Sequence, residues 1–168
     1  QSVVDGYNVC VFAYGQTGSG KTYTMEGDLE HNPGINLRAM MELFRLREEK
    51  TGDFTYRIEM SMLEVYCDEV RDLLVSSTDP LEVKSTGDGG YCPRLTHITV
   101  DSPSDVVSAM RSAQKNRATS ATKMNSASSR SHSVLTIEVR GENLQNGDKT
   151  RGQLNMIDLA GSERIGKS

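Results

Sequence analysis

The sequence has no tryptophan, only three phenylalanines, four prolines and three cysteines among 168 residues. The cysteines, Cys10, Cys67 and Cys92, are odd in number and share no metal-type spacing, which excludes a disulfide framework and a cysteine-bound metal. They are expected to be reduced thiols that fill small gaps in a core. No apolar run approaches the length that crosses a bilayer, and no charged-then-apolar leader opens the chain. These absences predict a cytoplasmic protein without a membrane partner. Acidic residues are missing from Val106 to Ile137, where Arg111, Lys115, Arg117, Lys123 and Arg130 all fall. That block reads as a solvated helix face, since the net charge of −4 argues against a nucleic-acid binder. Apolar residues make up 36 %, and 15 glycines bring the total near that of ordinary globular domains, so one domain with a real core is expected.

What is present is concentrated in Gly15-Gln16-Thr17-Gly18-Ser19-Gly20-Lys21-Thr22, which fits G-x-x-x-x-G-K-[ST]. Glycines let backbone amides approach an anion, the lysine reaches outer phosphates as a point charge, and the threonine hydroxyl serves Mg²⁺. The apolar run Val9-Cys10-Val11-Phe12-Ala13-Tyr14 precedes the loop and predicts a strand covered on both faces. A helix is expected from about Gly20 until Gly27, adding the positive end of its dipole. A glycine-rich turn that merely happens to carry a lysine is the alternative, and the strand–loop–helix context argues against it.

Further along, Asp28 to Pro33 reads as a surface loop. Leu37, Met40, Met41 and Phe44 recur at helical spacing, with Gly52 as the stop. Phe54 to Met62 alternates as a strand. Leu63 to Leu74, with Glu64, Asp68, Glu69 and Asp72, reads as a solvated helical turn rather than a metal site. Leu81–Lys84 and Arg94–Val100 are expected as short strands around Gly87–Gly90, with His97 structural. Ser102-Pro103-Ser104-Asp105 is a helix start that buries Val106, Val107 and Met110 and exposes Arg111, Lys115 and Arg117. The helix is expected to end near Ala118, with a loop over Thr119 to Ser133. Val134–Val139 and Gln153–Asp158 are strands joined by a turn through Asn146-Gly147.

A phosphate cradle needs a carboxylate at a strand end for Mg²⁺ and groups that sense the γ-phosphate. Asp158 ends its strand and Gly161 follows; Asn125 to His132 offers hydroxyls and a guanidinium. Without further context, Arg130 and Glu163 would read as two loop charges.

Together, Gly15–Thr22, Asn125–His132 (N-x-x-S-S-R-S-H) and Asp158–Glu163 (D-L-A-G-S-E) resemble the kinesin motor family. Tyr7-Asn8, Leu63-Glu64-Val65-Tyr66 and Asp72-Leu73-Leu74 lie between and before them in the same order. Gly141–Leu144 and Asn146-Gly147 are most similar to plant-type kinesins with a C-terminal, minus-end-directed motor. Departures are Asn36-Leu37-Arg38, where many kinesins have Ile-Pro-Arg, and Cys67-Asp68 in place of Asn-Glu. The resemblance implies an α/β P-loop NTPase fold, a mixed central β-sheet flanked by helices on both faces. It implies that 1–168 is part of a motor domain whose N-terminal strands and C-terminal tubulin-binding helices lie outside the chain. It further implies ATP and Mg²⁺ as ligands, a microtubule-stimulated ATPase activity, and microtubules of the cytoskeleton or spindle as partner and location. A coiled coil outside the chain would dimerise the parent protein. Residue by residue, Gly15, Gln16, Thr17, Gly18, Ser19, Gly20, Lys21 and Thr22 would hold phosphates and Tyr23 would stack on adenine. Thr22, Ser129 and Asp158 would serve the metal. Asn125 and Ser128 belong to the first switch, Ser128 positioning the attacking water. Gly161 would contact the γ-phosphate, and Arg130 and Glu163 would pair as a gate, Glu163 receiving the proton by relay. Lys84 and Arg94 would face tubulin. A microtubule-binding scaffold without motility is the competing function, and the isolated chain is expected to bind nucleotide weakly at best.

Overall fold

The computed structural model describes residues 1–77, 79–86, 89–123 and 130–163. In chain order the elements are β1 (Asn8–Ala13), α1 (Lys21–Met25), β2 (Gly27–Asp28), β3 (Asn32–Pro33), α2 (Ile35–Glu49), β4 (Phe54–Tyr66), β5 (Glu69–Asp72), β6 (Lys84–Thr86), β7 (Gly89–Tyr91), β8 (Ile98–Thr99), α3 (Pro103–Lys123), β9 (Ser131–Asn143) and β10 (Lys149–Asp158). The main sheet runs β1-β10-β9-β4-β5, with β8 also on β4. β1 lies parallel to β10 and the other pairs are antiparallel, so the sheet is mixed.

Period two decides which face is buried. Ile58, Met60 and Met62 of β4 stand opposite Val139, Ile137 and Leu135 of β9, and Leu154 and Met156 of β10 continue the row. Leu37, Met40 and Phe44 of α2 and Val106, Met110 and Ala113 of α3 close over them in one cluster. Each large apolar side chain so buried contributes about 1.5–3 kcal/mol. The other face is covered, among the described residues, by Tyr91, Cys92, Leu95 and His97, which line a 560 Å³ cleft with Ser61, Thr136 and Asn155.

Ser102 and Asp105 form the reciprocal cap expected of them: Ser102 N–H donates to Asp105 at 2.9 Å and Asp105 N–H to Ser102 Oγ at 3.3 Å. The helix they start continues through Lys123, past the expected end at Ala118, and β9 begins already at Ser131. Other expectations need correction. β1 alternates exposed and half-buried residues, with Phe12 60 % exposed, because only one of its faces meets the core. Leu63 to Asp72 is no helical turn: β4 runs on to Tyr66 and doubles back as β5 through Cys67 and Asp68, whose φ values of 47° and 67° are left-handed. Cys10 and Cys67 are exposed rather than core-filling. The expected strand 94–100 shrinks to β8, and Met41 points to solvent while Leu43 and Leu46 take its place in the core. No helix among the described residues is long and apolar enough to cross a membrane.

Candidate functional site

β1 and β10 end side by side, Ala13 in register with Asp158. The glycine loop leaves the sheet there, and Gly18 and Gly20 take φ of 80° and 90°, where a Cβ would be strained. The following α1 has five residues, so its dipole adds little, and the loop amides and Lys21 carry the attraction for an anion. Lys21 Nζ donates to the carbonyls of Gly15 and Gln16, each at 2.9 Å. An ammonium has three donors, so one is left for a phosphate oxygen.

Thr22 Oγ1 donates to Asp158 Oδ2 at 2.6 Å, joining segments 136 residues apart. Asp158 is 6 % exposed, and its other oxygen, Oδ1, is buried without a hydrogen-bond donor among the described residues. An orphaned carboxylate oxygen is costly unless a cation or donor meets it. Together with the Thr22 hydroxyl it forms the hard oxygen set that Mg²⁺ takes alongside phosphate and water. The residues therefore fit the metal.

The chain then returns over the loop. Leu159 N–H donates to Ala13 O at 3.2 Å and Ser162 N–H to Gly15 O at 3.0 Å. Glu163 grips Thr17, accepting from its amide at 2.9 Å and from its hydroxyl. The hydroxyl first, then the amide, holds the Glu163 carboxyl below its usual range, with a smaller pull from Lys21. Gly161 sits beside this clasp, and a Cβ there would run into both the Glu163 carboxylate and the Thr17 hydroxyl. Ala160 N–H donates to His132 Nδ1 at 3.0 Å, which ties this segment to β9.

The site residues proposed from sequence are thus brought together in part. Residues 15–22, Asp158, Gly161 and Glu163 converge. Asn125, Ser128 and Ser129 lie outside the described residues. Arg130 is exposed and forms no ion pair with Glu163 among the described residues; Glu163 is on Thr17, and the Arg130 charge is felt at Tyr66 instead. Tyr23 is 62 % exposed, and its hydroxyl accepts from Asn32 Nδ2 at 2.9 Å. Lys84 and Arg94 are exposed and far along the chain from the loop, Lys84 within 3.9 Å of Glu82.

Sequence reasoning missed a cluster beneath the site. Arg117, expected in solvent, has a side chain only 19 % exposed and meets Glu64, 4 % exposed, at 3.1 Å and Glu26, 12 % exposed, at 3.5 Å. Gln114 Nε2 also donates to Glu26 at 2.9 Å, and Ser131 Oγ donates to Glu64. The phase was readable: Glu64 has the parity of Ile58, Met60 and Met62, and Arg117 follows Met110 by seven and Ala113 by four.

Comparison with known proteins agrees with this architecture. The model of the family "Kinesin motor domain" matches residues 1–168. The chain is 51 % identical over 172 residues to kinesin-like protein KIN-14H of Arabidopsis thaliana, covering 100 % of this chain and 16 % of that protein. It is 49 % identical over 174 residues to kinesin-like protein KIN-14F of Oryza sativa subsp. japonica, with 100 % and 17 % covered. The solved structure of a fast kinesin superposes with a TM-score of 0.93 at 38 % identity, covering 99 % of this chain and 48 % of that one. The C-terminal motor domain of Kar3 from Candida glabrata gives 0.82 at 38 % identity, with 98 % and 52 % covered. The chain therefore spans about a sixth of these plant relatives and about half of the solved motors. With a mixed sheet flanked by helices, a glycine loop closed by the strand that ends in Asp158, and relatives of this kind along its whole length, the chain belongs to the kinesin motor-domain family.

Proposed function

We propose that the parent protein is an ATP-hydrolysing microtubule motor and that residues 1–168 are its nucleotide-binding and switch portion. The observation that carries this reading is the double closure of the loop, Thr22 on Asp158 and Thr17 on Glu163. Two segments distant in sequence meet at the place where a triphosphate's outer end would lie, so loss of that end is felt by both. Phosphoryl transfer asks for positioning and charge stabilisation rather than a strong nucleophile, and hydroxyls, amides, a lysine and a carboxylate suffice.

In this reading the loop amides and Lys21 bind the phosphates, and Tyr23 lies against the base. Thr22, Ser129 and Asp158 would hold Mg²⁺, which would supply charge neutralisation to the phosphates. Ser128 and Asn125 orient water, Gly161 touches the γ-phosphate, and Glu163 takes up the proton by relay. To pair with Arg130, Glu163 must give up Thr17. That exchange of partners is a two-state element of the kind that couples hydrolysis to movement. Lys84 and Arg94 contribute to the tubulin-facing surface. Dimerisation through a coiled coil outside the chain, and action on microtubules of the spindle, complete the proposal.

The test is Glu163→Ala in the full-length motor. Microtubule-stimulated ATP turnover is expected to fall about 10²-fold or more while nucleotide still binds. Undiminished turnover would remove Glu163 from the mechanism, and failure of the wild-type protein to glide microtubules would favour a non-motile scaffold.

A further inference from the structure

We propose that Arg117 is a positioning residue for the nucleotide site, acting through Ser131 and Glu26. Its guanidinium points three ways: Nε to Glu64 Oε1 at 3.1 Å, Nη1 to Glu26 Oε1 at 3.5 Å, and Nη2 to Ser131 Oγ at 3.3 Å. Glu26 caps α1, its N–H donating to Thr22 O at 2.8 Å, so one acceptor belongs to the phosphate-binding helix. Ser131 is the first residue of β9, and its neighbour His132 accepts from Ala160, next to Gly161. Ser162 closes onto Gly15.

These contacts make a ring. It runs from the glycine loop through α1 to Glu26, across Arg117 and Glu64 to Ser131 and His132, on to Ala160 and Ser162, and back to Gly15. A single partly buried cation therefore sets the distance between the phosphate-binding helix and the strand that starts after Arg130. Glu64 and Glu26 each bring a negative charge to Arg117, so the guanidinium is held by charge as well as by geometry. Lysine would keep the charge but not the planar fork, and one ammonium on a flexible stem does not span acceptors in these three directions. Arg117 contacts Glu64, Glu26 and Ser131 rather than the glycine loop itself, so it acts through the residues it aligns.

The inference rests on the motor reading for its effect on turnover, and one of its readouts stands apart from that reading. In the full-length motor, Arg117→Lys and Ser131→Ala are compared with wild type by ATP turnover, nucleotide affinity and amide hydrogen exchange. Expected is a kcat per folded molecule lowered about tenfold or more with KM within about twofold. The Ala160 amide is expected to exchange about tenfold faster in both variants. The double variant is expected to lose less than the product of the single losses, as residues of one network do. Lower melting temperature with wild-type kcat and wild-type Ala160 exchange would reduce Arg117 to a structural residue and overturn the proposal. Should Arg117→Lys fail to fold, Ser131→Ala gives the same two outcomes with no charge removed. If the wild-type motor itself turns over no ATP, the exchange readout still decides the positioning role, and only the motor assignment falls.

Discussion

Two clusters of arginine and glutamate, one between α3, α1 and the inward face of β4 and the other on the outward face of β4, β9 and β10, differ in what water reaches. On the inward face, Arg117 is 19 % exposed and serves Glu26 and Glu64. On the outward face, Arg57, Arg140 and Arg151 are 61 %, 54 % and 70 % exposed and serve Glu59 and Glu138. The outer cluster has more ion pairs, yet each of its guanidiniums remains hydrated and screened. The inner cation is largely withdrawn from water and faces a buried carboxylate, and removing it leaves two carboxylates with no comparable partner. Burial, and not the number of pairs, decides which cluster the fold depends on.

The comparison is broken most directly by Arg117→Met in the full motor domain. Stability is expected to fall by about 3–5 kcal/mol in denaturant unfolding, the cost of stranding a buried partner. A loss below that of an outer-cluster variant would reverse the ranking. Next comes Glu64→Gln, which keeps an acceptor for Ser131 and Arg117 but drops the charge. It is expected to cost about 1–3 kcal/mol in the same titration, and a neutral result would mean that Glu64 is held by shape alone. Arg151→Ala is expected to cost under about 1 kcal/mol and to become indistinguishable from wild type near 1 M salt, where the Debye length is about 3 Å. Persistence of the loss at high salt would show that Arg151 packs rather than pairs.

The smallest effect is a titration. Burial pushes the Glu138 carboxyl up, but hydrogen bonds from Arg151 and then Arg140 outweigh it, leaving the group below its ordinary 4.5. A carboxylate depressed in the folded state adds stability that is complete above the ordinary value and is lost as pH falls through the folded value. Arg151→Ala is therefore expected to move the Glu138 midpoint upward, read by NMR of its side-chain carboxyl. No movement would leave Arg140 as its sufficient partner. Glu163 follows the same sign: Thr17 depresses it, so its clasp on the loop stays intact through the neutral range and loosens only in acid.

The parts legible in the sequence were those in which chemistry is local. Gly15–Thr22 carries its own geometry in consecutive residues, and Ser102 with Asp105 specifies a helix start within four. The β9–β10 turn likewise lies where Asn146-Gly147 put it, with Gly147 at φ 75°. What was not legible depended on long-range packing. Glu64 reads as a solvated acid because its spacing from Asp68, Glu69 and Asp72 suits a helical turn, although its strand phase turns it inward toward Arg117, 53 positions on. The length of α3 was underestimated because serine and threonine carry weak helix propensity, and the helix nonetheless runs to Lys123. A pairing of Glu163 with Arg130 is implied only by the family resemblance, and nothing in the spacing of charges pointed to Thr17, whose amide and hydroxyl donate to Glu163 here.

The hairpin of β9 and β10 has a consequence for anyone who would engineer this chain. Asp158 stands opposite Ser133, and every residue of the ladder from Lys149 onward shares that alignment. Inserting one residue within β10 would turn its acid to the wrong side of the sheet, since side chains alternate. Residues 144–148 lie outside both strands, at the end of the hairpin remote from Asp158. A fluorophore or short graft belongs there, where it can report on the molecule without shifting the sheet edge that carries Asp158.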